Sequence, residues 1–186
     1  KLNYIEHCLN KTDIVSKLLF FTIVIENSSL FSQFANILSF TRFKGYMKNV
    51  SNIIAWTSID EQTHANAGIH LLNILQKEGH IINEDHLKHA IRDYIDQEFE
   101  LLNWIYEEGE LDFFTKQDML NFMKYRVDES LVKLGFSKLF NITQEDYSPM
   151  KWFEEDVFAN ELDDFFCKRP TAYTKHDKSI NGDDLF

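Results

Sequence analysis

Apolar positions at helical spacing, interrupted by short polar breaks, dominate most of this chain. The runs cover residues 13–43, 48–77, 83–108 and 115–134, and each is much longer than a typical β-strand. Cap-forming side chains stand at their starts: Thr12 or Asp13, Asn83 and Thr115. Glycine follows three of the runs, at positions 79, 109 and 135, where helices commonly end. The pattern predicts four long helices in an all-α fold.

The pattern weakens beyond Phe140. An apolar stretch surrounds Trp152, residues 160–168 predict one more turn of helix, and the composition is polar and charged from Thr171 onward. We therefore expect one helical domain over residues 1–170 and a flexible tail over residues 171–186. The chain starts with Lys1 rather than Met, so we expect it to be trimmed, processed or cut from something longer.

A Glu-x-x-His motif lies on the second helix, which is too apolar for an ordinary surface helix. Residues three apart share a helix face, so Glu61 and His64 are expected to point together into the core. A buried carboxylate is costly unless it is paired or bound to a metal. Glu26 interrupts the most apolar part of the first helix and should also face inward. The three side chains are therefore candidate metal ligands.

Ferritin-like di-metal proteins take one Glu from each of two helices and a Glu-x-x-His from each of the other two. Here one Glu helix precedes one Glu-x-x-His helix, with Glu61 35 positions after Glu26, which suits antiparallel neighbours joined by a short loop. This is half of the ligand set in the right order. The competing interpretations are a chance motif and, for Glu26, a partly exposed residue at a helix edge.

Composition limits the function classes. The 186 residues are 44% hydrophobic and carry a net charge of −11, which argues against binding to nucleic acid or to an anionic membrane surface. No stretch approaches 18 uninterrupted apolar residues, so no transmembrane segment is expected. The two cysteines, Cys8 and Cys167, lie far apart and suggest neither a disulfide framework nor a zinc cluster. A reduced, cytoplasmic setting is the simplest interpretation.

An ordered series of motifs resembles the C-terminal part of the radical-generating small (β) subunit of class I ribonucleotide reductase. The segment 58–64 is similar to that family's Arg-Asp-Glu-x-x-His signature, and Glu26 matches the preceding Glu-bearing helix. Residues 121–135 resemble the later helix that ends in Leu-Gly. Residues 151–153, 164–169 and 172–173 follow the family's Trp-Met, Asn-Phe-Phe-Glu-Lys-Arg and Glu-Tyr motifs.

The resemblance implies roles for individual residues. Glu26, Glu61 and His64 would be three of six ligands of a di-iron centre, with manganese/iron and dimanganese as alternatives. Asp60 would orient a metal-bound histidine and join the radical-transfer chain, and Tyr173 would relay the radical between subunits. Leu30 and Phe34 would line the pocket around the radical. The last four residues, Asp183, Asp184, Leu185 and Phe186, would dock on the large catalytic subunit.

Each role has a plainer alternative. Asp60 is alternatively a surface carboxylate next to a ligand, and Leu30 and Phe34 are equally well explained as core residues. Tyr173 is alternatively a tail tyrosine, and the final residues are alternatively an ordinary disordered terminus. The family pattern is also broken in places: Ile59 replaces an Arg, and Asn27 replaces a small Gly. The first carboxylate ligand, the first Glu-x-x-His and the radical tyrosine have no counterpart in this chain.

Three hypotheses follow. In the first, the chain is the C-terminal portion of a ribonucleoside-diphosphate reductase small subunit, a homodimer that needs its N-terminal part, as a separate fragment or as lost sequence. In the second, two copies pair symmetrically around a di-iron oxidase or storage site. In the third, the chain is a non-enzymatic helical partner in which the Glu and His residues satisfy each other.

Overall fold

The computed structural model describes residue 6 and residues 13–158, and most of this part is helical. The structural elements are α1 (Ile14–Leu19), a π-helical segment (Phe20–Ser29), α2 (Leu30–Lys44), α3 (Lys48–Lys77), α4 (Glu84–Ile105), α5 (Lys116–Lys133), α6 (Gln144–Tyr147), a 3₁₀ turn (Ser148–Met150) and α7 (Lys151–Phe158). Within these residues, β geometry is limited to one isolated bridge between Leu111 and Phe114. The all-α prediction is confirmed.

The first three elements form one continuous helical run, Ile14–Lys44, as the sequence predicts. Asp13 caps its start by accepting hydrogen bonds from the backbone N–H groups of Val15 and Ser16 at 2.9 and 3.1 Å. It ends at Gly45, whose φ of 73° is left-handed and suits glycine. The π-helical stretch in its middle was not predicted. Such stretches are uncommon and often lie at functional sites.

Helix α3 runs antiparallel to the first helical run and packs directly on the π-helical segment. Near the connecting loop, the Thr41 and Ser51 hydroxyls lie 2.5 Å apart. At the far end, Gly68 faces the Thr22 side chain so closely that any Cβ at position 68 would overlap with it. The predicted antiparallel pair with a short loop is therefore confirmed, and Gly68 permits the close approach.

The remaining helices enclose the inner side of this pair. Asn83 caps α4, and Thr115 with Asp118 forms a capping box at the start of α5, so both predicted caps are confirmed. The π-helical segment packs against α5 as well as α3. The largest side chains of this core are almost fully buried: Ile23, Phe31, Leu72, Tyr94, Phe122 and Phe153.

The prediction of irregular chain beyond Phe140 is wrong for residues 144–158, which form α6, the 3₁₀ turn and α7. Phe153 is fully buried, and the Tyr147 ring stacks on Tyr125 with centroids 3.9 Å apart. These helices are too short to show a hydrophobic period, and the core aromatics hold them in place. The predicted turn at 160–168 and the tail at 171–186 lie outside the described residues.

The run Ile14–Lys44 is long and apolar enough to cross a membrane by length and composition alone. A helix at the centre of a folded core has the same composition. Here the run packs against α3 and α5, and residues such as Ile23 and Phe31 are fully buried among other helices. The packing therefore accounts for the composition.

Asp128 fixes the chain that follows α5. It is buried, and its carboxylate accepts hydrogen bonds from the backbone N–H groups of Leu139, Phe140 and Ile142 at 2.7, 2.9 and 3.3 Å. Replacing Asp128 with Ala leaves three half-buried backbone donors unpaired, so the free energy of unfolding should fall by about 2 kcal/mol. Urea denaturation measures this change.

Asp112→Ala is the control, because Asp112 is an exposed carboxylate with an ion pair to Lys44. It should change stability little. Equal losses in the two variants would contradict the anchoring role of Asp128.

Candidate metal centre

Three potential metal ligands from two helices meet beside the antiparallel contact. Glu26 comes from the π-helical segment, and Glu61 and His64 come from α3. One ligand atom of each lies within 4.8 Å of the others. His64 Nδ1 is 3.4 Å from Glu61 Oε2, as expected for residues three apart on one helix face. The structure thus brings together all three residues that the sequence singled out as candidate ligands.

The cluster lies on an open side of the helix pair rather than deep in the core. Glu26 is half-buried, the Glu61 side chain is 20% exposed, and the His64 side chain is 60% exposed. The expectation that Glu61 and His64 point into the core is therefore wrong for His64. The described residues leave this face of α3 open around His64.

The charges of the cluster favour a cation. Burial raises the pKa of Glu26, the charge of Glu61 raises it further, and His64 lowers it. Two carboxylates facing each other this closely repel unless a proton or a cation lies between them. Carboxylate oxygens together with an imidazole form a donor set that suits iron or manganese. The residues present therefore fit a metal of the kind that the sequence predicts.

Exposed apolar side chains continue along the same face of α3. By helical spacing, Ile53, Trp56, Leu71 and Ile74 share a stripe with His64, and they are 60%, 48%, 45% and 37% exposed. We call these four residues the α3 stripe. Apolar side chains on both sides of a ligand cluster are typical of a surface that other protein covers.

The other sequence-predicted residues divide into two groups. Leu30 is half-buried and Phe34 is buried, one and two turns after Glu26, as both a pocket lining and a plain core position require. Asp60 is exposed beside Glu61. Tyr173 and the four final residues lie outside the described part of the chain, so their predicted roles stay predictions.

Arg126 on α5 is a functional candidate with no sequence motif. It is 4% exposed, and burial lowers the pKa of its guanidinium to about 10, against the opposing effect of Glu154. One signal was available: Arg126 falls on the apolar stripe of α5, between the buried Met123 and Val127. A buried cation on an otherwise apolar stripe requires buried acceptors. Its partners include Asn27 and Gln62, the residues that directly follow Glu26 and Glu61.

An all-α fold with carboxylates and a Glu-x-x-His between two long antiparallel helices defines a class, the ferritin-like carboxylate metalloproteins. Comparison with solved structures supports this fold. A chain from Bacillus halodurans, described as a "putative class I ribonucleotide reductase", matches with a TM-score of 0.71 and 19% identity. The match covers 82% of this chain and 58% of that one.

The family is shown by sequence. The model of the family "Ribonucleotide reductase, small chain" matches residues 1–149. The chain therefore belongs to the ribonucleotide reductase small-chain family, and the resemblance seen in the sequence is confirmed.

Two viral proteins are similar to the chain, both named "probable ribonucleoside-diphosphate reductase small subunit". The one from Invertebrate iridescent virus 3 is 28% identical over 92% of this chain and 45% of its own length. The one from Invertebrate iridescent virus 6 is 24% identical over 88% of this chain and 52% of its own length. The chain thus spans about half the length of these relatives.

The raised pKa of Glu26 predicts that ionisation of this carboxyl lowers the free energy of unfolding of the metal-free chain as the pH rises. A carboxyl whose pKa is higher in the folded state than in the unfolded state stabilises the fold at low pH, and this contribution is lost as the pH rises through the folded pKa. Glu26→Gln removes the ionised group. The metal-free variant should be more stable than the parent at pH 7, by less than about 1 kcal/mol because solvent screens a half-buried group.

Urea denaturation with a chelator present, at pH 7 and at about pH 4, measures this difference. The gain should disappear at the lower pH, where the unfolded carboxyl is largely protonated. Glu78→Gln, at an exposed position just after α3, is the control and should show no such gain. A loss of stability at pH 7 in Glu26→Gln would contradict the assignment.

Proposed function

We propose that this chain is part of the small subunit of a ribonucleoside-diphosphate reductase, an oxidoreductase that converts ribonucleotides to deoxyribonucleotides for DNA replication in the cytoplasm. The observation that carries the proposal is the meeting of Glu26, Glu61 and His64 in a chain of the small-chain family. In this function the chain contributes half of a di-metal carboxylate site and works with a large catalytic subunit.

The three residues would hold metal through the two carboxylates and the imidazole. The metals are iron, or alternatively manganese with iron or two manganese ions, and when bound they would supply the oxidising power for radical generation. The chain's own task is to hold Glu26 against Glu61 despite their mutual repulsion. The neighbouring Ser28 and Ala65 are fully buried, so both helices are packed against other protein beside the carboxylates.

The exposure of the candidate ligands supports the proposal that a further part of the small subunit covers this face of α3. Oxygen-activating chemistry requires that water be excluded, and a His64 side chain that is 60% exposed does not meet this requirement. We propose that the N-terminal part of the small subunit, as a separate fragment or as part of a longer chain, covers the α3 stripe. It would bring the remaining carboxylate and Glu-x-x-His ligands. The half-length match to the viral relatives supports this arrangement.

Roles of other residues follow from the same proposal. Asp60 would orient a metal-bound histidine and connect the site to the radical-transfer chain, which Tyr173 would extend toward the large subunit. Leu30 and Phe34 would keep the pocket dry. The terminal residues 183–186 would form a short docking peptide whose Phe186 anchors it on the large subunit.

A second arrangement is favoured by the exposure of the ligands themselves. Two copies of the chain, packed through the α3 stripe about a two-fold axis, would bring two Glu and two Glu-x-x-His motifs together and complete the ligand count of a symmetric bundle. This arrangement would serve a di-iron oxidase or storage function instead of nucleotide reduction.

Metal titration of the purified chain tests the site directly. With Mn²⁺ or anaerobic Fe²⁺ as the probe, Glu61→Ala and Glu26→Ala should each weaken binding at least tenfold, because each removes one of three protein ligands. Asp93→Ala is the matched control, since it breaks the exposed His89–Asp93 carboxylate–imidazole pair on α4. It should leave the affinity unchanged. Equal effects in all three variants would refute the site.

Reconstitution separates the two arrangements. The chain is combined with the N-terminal part of the small subunit, the large subunit, iron or manganese, and oxygen, and electron paramagnetic resonance and nucleotide reduction are recorded. A metal-dependent radical that requires the N-terminal part supports the reductase. Two metals per dimer of the chain alone support the symmetric arrangement. No radical and no nucleotide reduction would overturn the reductase assignment.

A further inference from the structure

One buried side chain connects the two ligand helices from their inner side. The Arg126 guanidinium donates from Nη2 to Asn27 Oδ1 at 2.6 Å and to Gln62 Oε1 at 2.7 Å. Asn27 lies on the π-helical segment and Gln62 lies on α3, so a single nitrogen bridges the two helices. Glu26 directly precedes Asn27, and Glu61 directly precedes Gln62.

Neighbouring residues on a helix point about 100° apart, because one turn holds 3.6 residues. When Asn27 and Gln62 are fixed on the inner side, the rotation of each helix about its axis is fixed as well. That rotation decides where the Glu26 and Glu61 carboxylates point. Arg126 therefore sets the relative orientation of the two carboxylates without touching either of them.

The link to the π-helical segment is reinforced by backbone contacts. Arg126 Nε donates to the Asn27 carbonyl oxygen at 2.6 Å. In return, Asn27 Nδ2 donates to the Arg126 carbonyl oxygen at 3.1 Å and to the Ser130 hydroxyl. Side chain and backbone of Asn27 are thus both held by one turn of α5. This arrangement locks the segment at the residue next to Glu26.

The guanidinium itself is held in place from two further directions. Its central carbon lies 3.7 Å from the centroid of the Phe31 ring, a cation–π contact. Its Nη1 donates to Glu154 Oε1 on α7 at 3.3 Å. Arg126 therefore has two separable groups of partners: Asn27 and Gln62, which adjoin the candidate ligands in sequence, and Glu154, which lies on α7.

We propose that Arg126 is a positioning residue for the candidate metal centre, acting through Asn27 and Gln62 to hold the Glu26 and Glu61 carboxylates at the separation and orientation that metal binding requires. The metal-binding part of this inference rests on the proposed function. The mechanical part, the coupling of the two helices, does not.

The test uses substitutions at Gln62 and Glu154 in the full chain, because removing Arg126 itself would leave buried acceptors unpaired and endanger folding. Gln62→Met deletes the acceptor on α3. Gln62→Glu keeps an acceptor for Arg126 but loses the bond that Gln62 Nε2 donates to Asn66, so it isolates the contact of interest. Glu154→Gln weakens the contact between Arg126 and α7 and is the matched control.

The first measurement is amide hydrogen exchange of the metal-free chain. Gln62→Met should speed exchange in residues 20–29 and 58–65, because the link between the two helices is lost. Gln62→Glu should restore the protection of the parent, and Glu154→Gln should leave these segments unchanged. If Gln62→Met leaves both segments as protected as in the parent, or if Glu154→Gln exposes them equally, the positioning role is overturned.

The second measurement is titration with Co²⁺, whose visible absorption reports the geometry of its ligands. Gln62→Met should raise the Kd about tenfold and change the spectrum, as loss of a group that orients ligands does, while Glu154→Gln should change neither. An unchanged Kd and spectrum in Gln62→Met would overturn the metal-related role. If the parent itself binds no Co²⁺, the metal-related role is overturned for the isolated chain, whereas the reductase assignment is decided by the reconstitution and the coupling of the helices by hydrogen exchange.

Discussion

The close antiparallel contact between the π-helical segment and α3 is the constraint on which the rest of the structure depends. Gly68 makes it possible, because a side chain there would collide with Thr22. The same contact brings Glu26 and Glu61 together, and the pKa of Glu26 is raised by burial and, in addition, by the charge of Glu61. Core packing therefore holds a pair of like charges that would separate if the helices were free. Two carboxylates held this close together favour the binding of a cation between them.

The two sides of this contact differ in how far the described residues cover them. On the inner side, Arg126, Asn27 and Gln62 form a network of hydrogen bonds that is buried or half-buried. A buried charge is expensive, and apolar side chains of similar size usually stabilise a core at least as well. The network is better explained by specificity, since its directional bonds allow one rotation and one register of the two helices. On the outer side, the ligands and the α3 stripe remain open.

Local patterns were sufficient to predict the four long helices and the contact between Glu61 and His64. Helix caps at Asn83 and Thr115 act within one turn, and Glu61 and His64 are brought together by helix geometry alone, so both were predictable. Arg126 was not, because Asn27 lies 99 positions away and nothing near either residue indicates the other. The π-helical segment was missed for a different reason, because a run of apolar residues is compatible with either an α-helix or a π-helix. The exposure of His64 was not predictable from the motif, because helix geometry determines which side chains share a face but not whether that face is covered.

These differences separate the geometry that the chain fixes by itself from the contacts that a covering segment would add. Positions that face inward are fixed by contacts within the chain, so the geometry of Glu26 and Glu61 exists without any partner. Positions that face outward, such as His64 and the α3 stripe, are exposed in the described structure and would become buried on assembly. A cation between the carboxylates would relieve the repulsion that opposes their burial, and a covering segment that brings further ligands would strengthen the binding of the cation. Metal binding and assembly are therefore expected to be coupled, because each would make the free energy of the other more favourable.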